Sequence, residues 1–300
     1  MTAASPTTFV IGAGPVATAL AGALRLGGVP VLGLWARRPA QARAAGATAG
    51  VAAFSSAPPD ILLESRVVIL AVRDQDIGDV AAMLAGTGLI GKRHVLLHCA
   101  GAASARELLG GAAAQVAGVG TLHPLSAISD GKLAMRALRG TVFGVEGDEA
   151  GRVAAGKLVA AMGGIVLPLD GSQMAAYHAA AALASNYVVA AIDAAAAVLA
   201  GAGVAPDRAA QALVPLAEGA LRNISAQGTT SGLTGPVRRG DVETVRRHLK
   251  TLQDKPELAE IYRALAKRAV AIASRLEGSD APDRAGLDAI RALLEAPDPA

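Results

Sequence analysis

The stretch TFVIGAGPVATAL, residues Thr8–Leu20, decides the fold class of this 300-residue chain. It opens with a short β-rich run, and its second half has the apolar spacing of a helix. Between the two, Gly12, Gly14 and Ala17 form the pattern G-x-G-x-x-A. At a strand-to-helix turn, this pattern predicts free N–H groups that bind the phosphates of a dinucleotide, although a glycine-rich turn without a nucleotide is the alternative. We expect four residues of this turn to contact the cofactor: Gly12, Gly14, Pro15 and Val16.

Strands and helices alternate over the first 170 residues. Seven more short apolar runs follow the first one, with helical segments between most of them. This alternation predicts an α/β fold, namely a Rossmann-type, doubly wound, mostly parallel sheet. The strand signal then stops, so we predict a nucleotide-binding domain of residues 1–170 and an all-helical domain of residues 171–300 for substrate binding and dimerisation.

The second half predicts a series of helices. One long helix should cover residues 172–200, and another should begin at Pro206 and kink at Pro215. A glycine-rich loop is expected over residues 225–241, followed by further helices and a frayed tail, APDPA, at residues 296–300.

Composition excludes several classes of protein. The net charge is only +3, and no block of Lys and Arg alternates with aromatic residues, so nucleic-acid binding is not expected. Cys99 is the only cysteine, which fits a cytoplasmic protein, and we predict no metal site. The N-terminus has no basic segment of the signal-peptide type. The apolar stretch Met174–Ala202 carries His178, Asn186 and Asp193, so we expect a soluble protein with no membrane span.

The turn after the second strand predicts which dinucleotide binds. Sites for NAD usually have an acidic residue here, about 20 residues after the glycines, to hold the ribose 2′-hydroxyl. This chain has Arg37 and Arg38 instead, and a guanidinium pairs well with a 2′-phosphate. We therefore predict NADP, with a solvated basic turn as the alternative. Val72, after the fourth strand, is expected to line the same site.

Two further segments carry candidate chemistry. His123 ends the sixth strand and is either a catalytic group or a hydrogen-bonded loop histidine. The segment SGLTGPVRRGD, residues 231–241, offers hydroxyls and guanidinium groups for a substrate carboxylate, or is only a structural loop. Its aspartate is expected to cap the helix that follows. We predict four substrate-binding residues in this segment: Ser231, Thr234, Arg238 and Asp241.

Five motifs in this order resemble one bacterial family. They are the glycine turn, the HP of residues 123–124, FGVEGD (143–148), YHAAAALASNY (177–187) and LTGPVRRGD (233–241). The family joins a Rossmann-like domain to a C-terminal domain of unknown function and includes the alternative ketopantoate reductase. It is similar in architecture to pyrroline-5-carboxylate reductase, to 6-phosphogluconate dehydrogenase and to the better-known ketopantoate reductase. In these relatives, the long helix after the sheet supplies catalytic residues and pairs across a dimer.

The resemblance implies roles for residues of the long helix. The better-known ketopantoate reductase has a Lys followed by two Asn there; this chain has His178, Ala182 and Asn186 at those positions. On one continuous helix, His178, Ser185, Asn186 and Asp193 would form a narrow polar stripe, which either faces a substrate or bonds a second helix in a dimer.

Together, these features predict an NADPH-dependent reductase that forms a homodimer. Its substrate would be a small carbonyl compound or imine with an anionic group, and ketopantoate is the leading specific candidate. His178 would donate the proton, Asn186 would hold the carbonyl with Ser185 beside it, and His123 would be the second candidate acid. A non-catalytic NADP-binding sensor is the alternative.

Overall fold

The structure, a computed structural model, describes residues 5–278 and 281–296. The first part of the chain forms eight strands: β1 Thr8–Ile11, β2 Val31–Trp35, β3 Ala53–Phe54, β4 Val67–Leu70, β5 Val95–His98, β6 Gly118–Pro124, β7 Val142–Gly147 and β8 Ile165–Pro168. They form one sheet of order β3-β2-β1-β4-β5-β6-β7-β8. All neighbours are parallel except β6 and β7. The predicted doubly wound, mostly parallel fold is confirmed.

Helices flank the sheet and make up nearly all of the regular structure after it. In the sheet-containing part they are α1 Pro15–Leu26, α2 Pro39–Ala49, α3 Ile77–Gly86, α4 Ala105–Leu109, α5 Gly131–Ala137, α6 Glu149–Ala161 and α7 Met174–Ala184. The later ones are α8 Asn186–Gly201, α9 Pro206–Ser231, α10 Pro236–Arg239, α11 Val242–Leu252, α12 Pro256–Ala273 and α13 Arg284–Glu295. Sequence reasoning missed α5, a short helix opened by the Asp130 side chain, which accepts from two backbone N–H groups.

Alternating strand residues build two separate cores. Val10, Leu97 and Leu122 pack with α1, α5 and α6 on one face. Phe9 and Leu96 pack with α3 and α4 on the other. Both faces are therefore apolar, as a doubly covered sheet requires. Strand order reverses between β1 and β4, and ligands of such folds bind in the crevice at the carboxyl ends of these strands.

The chain divides into two compact units, residues 1–183 and 184–300. The last strand ends at Pro168, where the sequence predicts the change to helices, but α7 belongs to the first unit. The reason is visible in its packing, because Met174 is buried and the Tyr177 side chain contacts Gly144 of β7. The division therefore falls within the segment that was expected to be one helix.

Three details of the second half differ from the sequence prediction. The expected continuous helix is interrupted at Ser185, whose φ of −126° and ψ of −74° are not helical. The α9 helix departs from helical geometry at Gly228, with φ of +76°, rather than at Pro215. Beyond Gly228 the chain is helical again as far as Ser231, so the glycine-rich loop is shorter than residues 225–241. The frayed tail lies outside the described residues apart from Ala296.

The second unit has a small core and a large exposed apolar face. Side chains from α10 to α13 form the core, around Val245 and Ile290. In contrast, every residue of α8 keeps some exposure, and Val189 of α8 and Leu216 of α9 are both 71% exposed. By length and composition alone, residues 171–201 could cross a membrane, although they carry His178, Asn186 and Asp193.

Candidate active site

The glycine turn has the geometry of a phosphate cradle. Gly12 has φ of +130°, and a Cβ there would lie 2.2 Å from the Ala71 carbonyl oxygen, so only glycine fits. A Cβ at Gly14 would meet nothing within 4 Å, which leaves space above the backbone. Helix α1 starts at Pro15, and the first N–H bonded within the helix is that of Thr18, to the Gly14 carbonyl. The N–H groups before it are available to an anion.

A crevice of about 780 Å³ extends from this turn along the ends of β1, β2, β4 and β5. All seven residues predicted to bind the cofactor line it: Gly12, Gly14, Pro15, Val16, Arg37, Arg38 and Val72. Cys99, which follows β5, also lines it. Burial raises the pKa of the Cys99 thiol to about 12, so this side chain is a neutral wall and not a nucleophile.

The basic end of the crevice is held by an aspartate. Arg37 Nη2 lies 3.8 Å from Asp76 Oδ2, and Arg73 Nε lies 2.9 Å from the same oxygen. The Arg37 side chain is 74% exposed, so this ion pair leaves its other N–H groups free to meet a phosphate in solvent. A glycine cradle, an open crevice and two guanidinium groups fit a dinucleotide with a 2′-phosphate.

A cluster of aromatic side chains lies beside the crevice, where β6 ends. His123 Nδ1 is 2.8 Å from the Tyr177 hydroxyl, and the two rings meet edge to face. The His178 ring centroid lies 6.1 Å from that of His123. Gly101, two residues after Cys99, approaches both histidines, since a Cβ there would be 2.9 Å from His178 and 3.0 Å from His123. The structure thus brings together the two histidines that the sequence singled out separately.

Burial sets the protonation of this cluster. It lowers the pKa of His123 to about 4, and the neighbouring His178 adds to the shift, so His123 is neutral at pH 7. Burial raises the pKa of Tyr177, against the opposing effect of a hydrogen bond from the Gly144 N–H. Sequence reasoning missed Tyr177, because it lies off the polar stripe. The signal that could have found it is Gly144 on β7, which leaves room for the phenol.

The remaining predicted site residues lie in the second unit. Asn186 and Ser185 sit at the start of α8, on a different helix from His178, so the expected stripe on one helix is not formed. Arg238 Nη1 donates to the carbonyls of Ser231 and Leu233, which ties this guanidinium to its own loop.

Asp241 caps α11, as expected, and accepts from both the N–H and the hydroxyl of Thr244. Hydrogen bonds from Thr244 hold the pKa of the Asp241 carboxyl below its usual value. Thr234 and Arg239 are exposed. Within residues 5–278 and 281–296, no three His, Cys, Asp or Glu side chains are grouped closely enough to hold a metal ion.

Two family models match the chain in sequence. Residues 8–96 match "NADP oxidoreductase coenzyme F420-dependent". Residues 141–269 match "Domain of unknown function (DUF2520)". The order of the two confirms the expected resemblance, a Rossmann-like domain followed by a domain of unknown function, and supports NADP as the cofactor. No curated protein matches the chain in sequence.

Solved structures share the fold over most of this chain. A Bacteroides fragilis protein described as an NADP oxidoreductase is 21% identical, with a TM-score of 0.67 over 88% of this chain and 98% of its own. An imine reductase from Pseudomonas sp. is 17% identical, with a TM-score of 0.61 over 96% and 99%. Pyrroline-5-carboxylate reductase from Coxiella burnetii is 18% identical, with a TM-score of 0.56 over 89% and 98%. At these identities, the similarity establishes the fold.

Proposed function

We propose that this oxidoreductase uses NADPH to reduce a small carbonyl compound or imine that carries an anionic group. The observation that carries the proposal is the contact of His123, Tyr177 and His178 beside Gly101, two residues from the Cys99 wall of the crevice. Reduction needs a proton donor near the cofactor, and the short chain distance from Cys99 to Gly101 supports this role for the cluster. Ketopantoate is the first substrate to test, because the motif order resembles the family of the alternative ketopantoate reductase. Imines come next, because imine and pyrroline-5-carboxylate reductases share the fold.

Bound NADPH would supply the hydride, and the chain would supply the proton and the hydrogen bonds. The Tyr177 hydroxyl accepts a hydrogen bond from the Gly144 N–H and donates one to His123 Nδ1, so that neutral His123 carries its proton on Nε2. A neutral imidazole fixed in this way donates a hydrogen bond to a substrate oxygen or nitrogen without giving up the proton. His178, only partly buried, then supplies the proton that the product keeps.

For the anionic group of the substrate, we keep the sequence-based proposal that residues 231–241 bind it. Since Arg238 and Asp241 are engaged within their loop, the exposed Thr234 and Arg239 are the better candidates in the 231–241 segment. Asn186 and Ser185 remain candidates for holding the carbonyl.

We also propose a cytoplasmic homodimer in which a second copy covers α8 and α9. Large exposed apolar faces are unusual on monomers, and Val189 and Leu216 are each 71% exposed. Light scattering should give twice the chain mass for the wild type, and a Val189→Glu, Leu216→Glu variant should be monomeric. Leu133→Glu on α5, where the side chain is 75% exposed, is the matched control and should remain dimeric. A monomeric wild type at micromolar concentration would contradict the proposal.

The deciding experiment follows NADPH oxidation against a panel of keto acids, ketopantoate included, and cyclic imines. Turnover that is lost in His178→Ala and kept in His248→Ala would support the reductase. His248 is a suitable control because it pairs with Tyr262 as His123 pairs with Tyr177, but lies in the other unit. Tight NADPH binding without turnover on any member of the panel would instead indicate a sensor. Failure to bind NADPH would overturn both functions.

A further inference from the structure

A row of three polar side chains crosses the sheet beneath the histidine cluster. His98 of β5, Thr121 of β6 and Glu146 of β7 are neighbours in register on adjacent strands. His98 and Thr121 are fully buried, and Glu146 is 8% exposed. Polar groups buried this deeply need hydrogen-bond partners, so the order of donors and acceptors along the row is constrained.

The donors of the row can be assigned from its ends. The Ala100 N–H donates to His98 Nδ1, and burial lowers the pKa of His98 to about 4, so His98 is neutral with its proton on Nε2. Nε2 lies 3.1 Å from Thr121 Oγ1 and donates to it. The Thr121 hydroxyl donates to Glu146 Oε2, and the Ala105 N–H donates to the same oxygen at 2.8 Å.

Both ends of one segment are thereby tied to the row. The segment, residues 99–105, is held at Ala100 by His98 and at Ala105 by Glu146. It carries Cys99, in the wall of the crevice, and Gly101, which packs against the two histidine rings. A shift of this segment would therefore change both the crevice and the cluster.

Glu146 also faces the beginning of the segment that leads to the histidine cluster. A Cβ at Gly171 would lie 3.5 Å from Glu146 Oε1, and the chain runs from Gly171 into α7, which carries Tyr177 and His178. One carboxylate is thus next to both segments that form the cluster.

We propose that Glu146 is a positioning residue, which acts through Thr121 and the Ala105 N–H to hold residues 99–105 against His123 and His178. Its effect on catalysis rests on the proposed function. Its effect on the segment does not, and amide hydrogen exchange measures it without any substrate.

The test uses variants of matched size. Thr121→Val and Glu146→Met remove the side-chain hydrogen bonds of the row. Thr121→Ser keeps the hydroxyl, and Glu146→Gln keeps an oxygen that can accept from Thr121 and the Ala105 N–H. Thr8→Val is the control, because Thr8 is also a fully buried strand threonine and its hydroxyl donates to the nearby Pro6 carbonyl. We expect amides of residues 100–105 to exchange about tenfold faster in the first two, and amides of β1 and β4 to stay protected. Thr121→Ser should match the wild type.

Glu146→Gln should give an intermediate rate, because hydrogen bonds to a neutral acceptor are roughly half as strong as those to a carboxylate. This variant decides the question if Thr121→Val or Glu146→Met fails to fold.

In turnover assays, kcat should fall roughly 10- to 100-fold in Thr121→Val, and Thr121→Ser should restore it. The NADPH dissociation constant should change less than kcat, because Cys99 is the residue of the segment that lines the crevice. Unchanged exchange of residues 100–105 in all four variants would overturn the positioning role. Uniformly faster exchange over the whole sheet would also overturn it, because the row would then be a general stabilising element. Faster exchange of the segment with no turnover by the wild type would leave the positioning role intact and count against the reductase.

Discussion

The molecule contains two histidine–tyrosine pairs of nearly the same shape. His123 Nδ1 lies 2.8 Å from the Tyr177 hydroxyl, and the rings meet at 87°. His248 Nδ1 lies 2.9 Å from the Tyr262 hydroxyl, and the rings meet at 84°. The first pair is enclosed by β6, β7 and the Gly101 segment, with His178 beside it. In the second pair, the histidine is exposed, on α11 of the helical unit.

The comparison shows that side-chain geometry alone does not make a site. At His123, burial lowers the pKa to about 4, so the ring stays neutral at pH 7 and one nitrogen faces Gly101. His248 has the same partner without that enclosure. The same contrast applies to the charged residues: Arg37 faces an open crevice, whereas Arg238 is bonded to the carbonyls of its own loop.

The largest effect is expected for His178→Ala. Loss of a positioned general acid typically lowers kcat by about 10²- to 10⁴-fold. NADPH affinity should not change, because His178 is not among the residues that line the crevice. Steady-state kinetics with NADPH and the best substrate of the panel measures it, and His248→Ala should stay within about twofold of the wild type. A His178 variant that keeps kcat within a few-fold of the wild type would show that His178 is not the general acid.

The next largest effect concerns the two basic segments. An Arg37→Ala, Arg38→Ala variant should bind NADPH roughly 10- to 100-fold more weakly, because it loses charge-assisted hydrogen bonds to the 2′-phosphate. NADH binding should change little. Calorimetric titration measures the dissociation constants of NADPH and NADH, and Arg238→Ala is the control. Equal affinity of the wild type for NADH and NADPH would refute the assignment of NADP.

The sequence was informative where a motif and its structural context coincide. Gly12 has a backbone that other residues cannot adopt, and its place between an apolar strand and a helix is enough to locate the crevice from the sequence. Eight strands could likewise be predicted from apolar runs. Strands buried on both faces, such as β1 and β4, produce nearly continuous runs. The last strand, β8, has such a run although its four residues are exposed.

Long-range pairings could not be predicted in the same way. Tyr177 meets His123 only because β7 lies beside β6 with a glycine at 144, and this register is set by the packing of the whole sheet. The break at Ser185 has no sequence signal in an alanine-rich segment, and none of the described contacts explains it.

A smaller effect is expected for Tyr177→Phe. The phenylalanine keeps the ring but removes the hydroxyl that fixes the His123 tautomer, so a fraction of the molecules would carry the proton on Nδ1 instead. We expect kcat to fall about tenfold, with a smaller change in KM for the substrate. Tyr262→Phe removes the matching hydroxyl in the other unit and should leave both parameters unchanged. Equal effects of the two substitutions would mean that both hydroxyls act only on stability.

The smallest effect is on stability as a function of pH, and it separates the two pairs without any substrate. Burial lowers the folded-state pKa of His123 to about 4, whereas an unfolded histidine titrates near 6.5. Between these values the unfolded chain binds the additional proton, so the free energy of unfolding falls as the pH falls from about 6.5 to 4. Each such histidine contributes a slope of up to about 1.4 kcal/mol per pH unit, and His98 adds a second contribution of the same sign.

Urea unfolding at several pH values should therefore show a shallower slope for His123→Gln than for the wild type. His248→Gln, at an exposed site, should reproduce the wild-type slope. An identical slope in all three proteins would mean that His123 is not enclosed as described, and the contrast between the two pairs would no longer hold.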